Sequence, residues 1–377
     1  MSQFDDFTTQ INSLPDLLRT EARAIDDRMR LLLTFAEVYG IRQIVLLGSG
    51  DSYFAAQAVA PAIRAWTGLP VSAMVAMEAA RYLDAGRPPL AGRNRGLLVV
   101  AISSSGEPAR VVEATRRLRQ LGALTVAITA HPQSRLGQAA ERVLDIAIPA
   151  STNAPGTRSY MASLLALYAI GIRMSEVLQT LTMDEGNALR QEIISLADPI
   201  ASAAVTVAEP LLALTKAWRD FRMVDVLGSG PTLATAGYAA AKLVEAVGLH
   251  ATAQDAEEFH HLNYFVDHPQ NVPAVVFAPS RALSISRKRE LVTTLEGLGR
   301  PALIITDTDD LPRYGTQLTL PDVREWFAPI VQVVPAAYLA AAWAAELGVT
   351  HYRGHTGPWR HAVGAGLVRN SAIELQH

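Results

Sequence analysis

The stretch Phe221–Ala253, FRMVDVLGSGPTLATAGYAAAKLVEAVGLHATA, lies over Ile41–Ala73, IRQIVLLGSGDSYFAAQAVAPAIRAWTGLPVSA, at a constant offset of 180 residues, Gly228 on Gly48. LGSG recurs at 47–50 and 227–230, Gly68-Leu69 on Gly248-Leu249, Ala73 on Ala253 and Glu78 on Glu258, with no gap. A repeat of that length means two copies of one fold unit. The copies part where chemistry is possible: Glu245 falls opposite Ala65 and His261 opposite Arg81. If the chain has one general base, the second copy carries it. The plain alternative for Glu245 is a solvated or salt-bridged helical residue.

At 377 residues, 50% hydrophobic, the chain suits two ordinary domains with a core each. A net charge of −3 leaves no nucleic-acid footprint. No run of 18 apolar residues free of charge appears, and the opening MSQFDDFTTQ is polar and acidic, unlike a signal peptide. Zero cysteines exclude disulfides, thiolate metal sites and a cysteine nucleophile. The expectation is a cytoplasmic protein that meets neither nucleic acid nor membrane.

Residues 1–40 read as a helical arm, with Leu14, Leu17, Leu18, Ile25, Met29, Leu32 and Leu33 near helical spacing. Apolar runs at 44–47, 71–75, 97–102, 124–128 and 143–148 read as strands, with helices at 53–66 and 108–121 and a closing helix at 157–178. These make a first domain over 41–182. Residues 183–220 read as a helical bridge. The second domain, 221–348, repeats the order with strands near 223–227, 249–253, 273–278, 301–305 and 316–320 and a closing helix at 329–347. Apolar strands alternating with helices predict an α/β chain of two parallel five-stranded sheets covered on both faces. The tail, 349–377, is rich in Gly, His and Arg and reads as a loose end or an active-site lid.

Ligands of open α/β sheets bind outside the carboxyl ends of the strands. Three strand-to-helix turns stand out there: GSGDSY at 48–53, SSSGEP at 103–108 and GSGPT at 228–232. Serine hydroxyls and amides at helix amino ends hold phosphate without cationic side chains; ordinary capping is the bland reading. A dinucleotide fingerprint fails, because Tyr53 and Leu233 stand at the third glycine, and no Walker A pattern occurs.

GSGDSY, ISSSGEP after a strand, AAKLVE at 240–245, and Glu258 with His261 together resemble the sugar isomerase (SIS) domain. Two copies behind INSLP at 11–15 resemble the isomerase half of glucosamine-6-phosphate synthase and its stand-alone relatives, over essentially the whole chain. The resemblance implies that Glu245 moves a proton between C1 and C2 of an opened sugar, that His261 assists ring opening, and that Lys242 belongs to the same catalytic stretch. It implies a phosphate held through Gly50, Asp51, Ser52, Ser103, Ser104 and Ser105, a His261 supplied by a neighbouring subunit, and hence a homodimer with shared active sites. Departures accompany it. Asp51 stands where a hydroxyl is usual, Pro108 replaces a threonine, His261-Leu262-Asn263 replaces His-Gly-Pro, and Arg369-Asn370-Ser371 lies nearest to a missing lysine.

The implied chemistry needs a carboxylate and an imidazole that exchange protons near neutral pH, and no cofactor. Histidines at 250, 260, 261, 268, 351, 355 and 361 raise a metal, but no H-E-x-x-H is present and none is expected. Arg353, Trp359, Arg360 and Arg369 suit a cationic lid over an anionic substrate, and Arg158 is a further anion contact. The leading expectation is an isomerase of a phosphorylated hexose or amino sugar. The alternatives are an Amadori-type ketosamine-phosphate deglycase and a non-catalytic sugar-phosphate sensor.

Overall fold

Central strands form where the chain is apolar on both faces, and the two sets of five strands follow the same order. The computed structural model describes residues 2–83, 96–351, 357–361 and 364–375. Helices α1 (Gln3–Asn12), α2 (Leu14–Arg30) and α3 (Phe35–Gly40) come first. The first copy runs β1 (Gln43–Gly48), α4 (Asp51–Thr67), β2 (Val71–Val75), α5 (Ala76–Arg81), β3 (Leu97–Ile102), α6 (Ala109–Gln120), β4 (Leu124–Thr129), α7 (Arg135–Ala139), β5 (Arg142–Asp145) and α8 (Arg158–Leu178). Helices α9 (Met183–Ser195) and α10 (Ala197–Ala217) follow. The second copy runs β6 (Met223–Gly228), α11 (Pro231–Lys242), a π turn (Leu243–Val247), β7 (His250–Asp255), α12 (Glu258–His261), β8 (Ala274–Ala278), α13 (Ile285–Gly297), β9 (Ala302–Thr306), β10 (Thr316–Thr319) and α14 (Ala328–Leu347). The tail adds α15 (Gly364–Asn370).

All pairings are parallel, in the orders β2-β1-β3-β4-β5 and β10-β9-β8-β6-β7. Read from the other edge, the second order repeats the first. Strands β3, β4, β8 and β9 are buried along their whole length, as crossover helices on both faces require. The order reverses between β1 and β3 in one sheet and between β6 and β8 in the other, and these are the switch points where such sheets open a crevice.

Each sheet belongs to its own compact unit. The first sheet lies in Leu17–Pro149, Ser159–Ile194 and Arg353–His377; the second lies in Met1–Asp16, Ala150–Arg158 and Ser195–Tyr352. The opening arm is therefore divided, between Asp16 and Leu17 in the first turn of α2. Helix α1 packs on α14 of the second unit, with Phe7 and Ile11 fully buried, Phe4 6.0 Å from the Tyr338 ring and Phe7 5.4 Å from His351. In the first unit Asp26 of α2 accepts from Arg190 of α9 at 2.8 Å, and Arg190 Nη2 reaches Glu176 of α8 at 3.0 Å.

Against the expectation that no stretch could span a bilayer, three helical stretches, Arg158–Leu178, Met183–Ala217 and Glu325–Leu347, have the length and composition to cross one. The first and last are 89% and 100% buried over their most apolar windows, so that apolarity is taken up by the protein's own cores.

Candidate active site

The first sheet's switch point is built from the two serine turns. Gly50 caps α4 with φ 55° and ψ −130°, and Gly230 caps α11 with φ 59° and ψ −133°. The sequence repeat is thus a repeat of backbone conformation that side chains rarely adopt. Asp51 opens α4, where a carboxylate favours the helix dipole. In the second turn, Gly106 N–H donates to Ser103 Oγ at 3.1 Å, Ala130 N–H to Ser104 O at 3.0 Å and Glu107 N–H to Ser105 Oγ at 3.4 Å. Gly106 has φ +67°, and a Cβ there would lie 1.9 Å from Ser134 Oγ. Ser103 is 5% exposed and spends its hydroxyl on the turn itself. Ser52 and Ser104 are half-buried and their hydroxyls bond to no described residue, which leaves them open to a ligand.

Glu245 lies in the π turn. Gly248 N–H bonds to Leu243 O at 3.0 Å, five residues back, and to Val244 O at 3.1 Å. At the matching place in the first copy Gly68 N–H bonds four residues back, to Arg64 O at 3.0 Å, and α4 stays α-helical to Thr67. The lengths are equal, so the wider turn arises without an inserted residue. What differs is the pair it carries: Lys242 and Glu245 replace Ala62 and Ala65. Lys242 Nζ donates to Glu245 Oε2 at 2.6 Å, its side chain 1% exposed against 41% for the glutamate, and stands 5.3 Å from the centre of the Tyr238 ring. A buried ammonium thus aims a half-open carboxylate, at the kind of π distortion that marks functional sites.

His261 ends α12, exposed, its Nε2 3.3 Å from Glu257 Oε1. Glu245 precedes β7 and His261 follows it. The six residues of β7 span about 20 Å. Within one chain the strand therefore holds the carboxylate and the imidazole apart, at opposite ends of the sheet. Arg300, fully buried on Phe259 at 5.2 Å, fixes the loop beyond His261 by donating to Asn263 O at 3.3 Å and Val272 O at 2.5 Å, while pairing with Asp225.

Arg158 opens α8. Arg369 ends exposed in α15, and its carbonyl accepts from Arg135 Nη1 at 2.7 Å. The segment after it is docked. Arg110 reaches Ser371 Oγ at 3.1 Å, Glu374 N–H donates to buried Glu113 Oε2 at 2.9 Å, and Ile373 packs on the first unit's core. Trp359 and Arg360 are exposed, whereas Arg353 and His355 lie outside the described residues. Among the described residues no group of three or more His, Asp or Glu could hold a metal. A cavity of about 460 Å³ opens between α2, α8 and α9, but Asp26, Arg30 and Arg190 in its wall are spent on one another and no candidate residue lines it. The sequence reading missed the π turn, which has no signature in hydrophobic period, and a second buried lysine, Lys288. A composition signal existed for the latter: of 33 Lys and Arg residues only Lys216, Lys242 and Lys288 are lysine.

A SIS domain profile matches residues 37–173. Glutamine–fructose-6-phosphate aminotransferase [isomerizing] of Mycolicibacterium paratuberculosis is 26% identical over 336 residues, 87% of this chain and 52% of that protein. The chain thus spans about half of that relative's length. Among solved structures, the C-terminal domain of glucosamine-fructose-6-phosphate aminotransferase from Francisella tularensis superposes with a TM-score of 0.79 at 19% identity, covering 92% of this chain and 99% of that one. The tagatose-6-phosphate ketose/aldose isomerase of Escherichia coli superposes at 0.68 and 19% identity, covering 93% and 94%.

Proposed function

Since residues 37–173 form a SIS domain and the second sheet repeats its strand order, we propose that this chain is an aldose–ketose isomerase of a phosphorylated hexose or amino sugar. The observation that carries the reading is the Lys242–Glu245 pair at 2.6 Å on a π turn found in one copy only. Glu245 takes the proton from the carbon beside the carbonyl, an enediol forms, and the carboxylic acid returns the proton to the neighbouring carbon. Lys242 holds the carboxylate oriented between turnovers. The phosphate is assigned to the turns bearing Ser52, Ser103, Ser104 and Ser105, whose amides face a helix amino end.

His261 is assigned to ring opening. Because β7 separates it from Glu245 of its own chain, the imidazole serving a given Glu245 comes from a second copy, in a homodimer. A ketosamine-phosphate deglycase is the second reading. It is favoured by the absence of any lysine after Lys288 for a covalent step in the tail.

The test is Glu245→Gln with hexose, amino-sugar and ketosamine 6-phosphates as probes. The expected outcome is turnover lowered at least ~10³-fold while the ligand-induced rise in melting temperature persists. Turnover that survives removes Glu245 from its role, and binding without turnover by wild type across all probes leaves a sensor. The released product tells isomerase from deglycase.

A further inference from the structure

The second switch point, between β6 and β8, has no task in that chemistry. Helix α11 runs back from it, so Glu245 at the far end of α11 lies at the opposite edge of the second sheet. Yet the turn there, GSGPT, copies the backbone of the first cradle. It is not empty. A Cβ on Gly230, the amino cap of α11, would meet Glu325 Oε1 at 3.7 Å, and Glu325 Oε2 accepts from Leu283 N–H at 3.4 Å beyond the end of β8. Glu325 is 8% exposed.

Behind it stands Lys288, the fourth residue of α13, where the fourth residue of α6 is the buried Val112. Lys288 is 0% exposed. Its Nζ donates to Ser284 Oγ at 2.9 Å and lies 3.5 Å from Thr232 Oγ1 in the GSGPT turn, with no carboxylate inside 4.0 Å among the described residues. Burial pushes its ammonium down to about 8, with Glu325 and then Asp255 pulling back. Burial likewise pushes Glu325 up, against the Leu283 amide and Lys288. A fully buried ammonium is costly unless an anion shares its enclosure. A chain that otherwise places arginine at 30 of its 33 Lys and Arg positions keeps lysine here.

We propose that the second switch point is an oxyanion site which the chain fills with its own Glu325 carboxylate, seated at the amino end of α11 with Lys288 as the buried cation. The carboxylate stands in for a phosphate, so this lobe takes none and each chain keeps one phosphate cradle. Removing it uncovers a site for inorganic phosphate or a phosphate monoester.

Three lysines make the test local, since ¹³C-lysine labelling gives three side-chain signals, of which that of Lys216 is exposed. Inorganic phosphate is titrated against full-length wild type and Glu325→Ala, with sodium chloride at matched ionic strength as control. A saturable shift of the Lys288 signal is expected in the variant and none in wild type. Equal movement in both, or none in the variant, overturns the proposal. If Glu325→Ala does not fold, Glu325→Gln decides: with Asp255 left in place, the Lys288 titration midpoint falls by about one pH unit, and an unchanged midpoint overturns it. The readout sits on Lys288, so it stands whether or not the first-lobe serines bind phosphate.

Discussion

Two of this protein's three lysines are buried, and they differ in how near a carboxylate stands. At Lys242 the contact is direct, and the carboxylate it holds keeps one face open to solvent. At Lys288 the nearest partners are hydroxyls, and burial lowers its proton affinity from the usual 10.5 to about 8. The unfolded chain then binds more protons than the folded one between those values, so Lys288 makes stability rise with pH from about 8 to 10.5. Lys288→Met has no such proton to shed. Chemical denaturation across that window should show wild type gaining up to ~3 kcal/mol relative to the variant; parallel curves would contradict a buried, titrating ammonium. Glu245 was legible in the sequence because the repeat put alanine opposite it. Glu325 was not, since an acid followed by WFAPIV reads as a helix start, and only the fold carries it to Gly230.

Equal spacing in the two copies conceals the difference between α4 and the α11–π-turn segment. Both run from a left-handed-side glycine cap to a glycine at positive φ, Gly68 at 69° and Gly248 at 83°. Nothing in helical periodicity separates a four-residue from a five-residue hydrogen bond. We attribute the separation to the Lys242–Glu245 pair, which the first copy lacks. Restoring the first copy's alanines with Lys242→Ala/Glu245→Ala should close the segment into α-helix. A crystal structure of the variant would then show Gly248 N–H bonded to Val244 O alone, and a five-residue bond persisting there would refute that cause. The serine turns were legible as strand-to-helix turns, because glycine and serine stand between an apolar run and a helical one. Which hydroxyls remain open was not: Ser103 folds its own back onto Gly106, while Ser52 and Ser104 do not.

At the scale of the whole chain, the repeat names two lobes but not which segments each owns. Helix α1 belongs with the second sheet, 200 and more residues away in sequence, because Phe7 and Ile11 find their apolar cover on that unit. Deleting residues 1–16 should therefore destabilise the second sheet rather than the first, by about 3–6 kcal/mol for Phe7 and Ile11 alone. Hydrogen exchange that accelerates in α14 and leaves β3 and β4 unchanged would bear this out, and uniform acceleration would not. The separation of Glu245 from His261 by β7 belongs to the same scale. Mixing Glu245→Gln with His261→Asn, each inactive alone, should restore about a quarter of wild-type activity through mixed dimers, and no recovery would count against a shared site. The sequence by itself determined the class, the duplication and nearly every strand, and it singled out Glu245 as the carboxylate one copy adds, because apolar period, glycine turns and a gapless repeat are local properties written in order along the chain. Tertiary structure alone decided that the tail is tied down on Glu113 and that Lys288 and Glu325 are buried beside the same switch point. Those facts depend on which distant residues share an enclosure out of water, and burial, unlike period, has no address in the sequence.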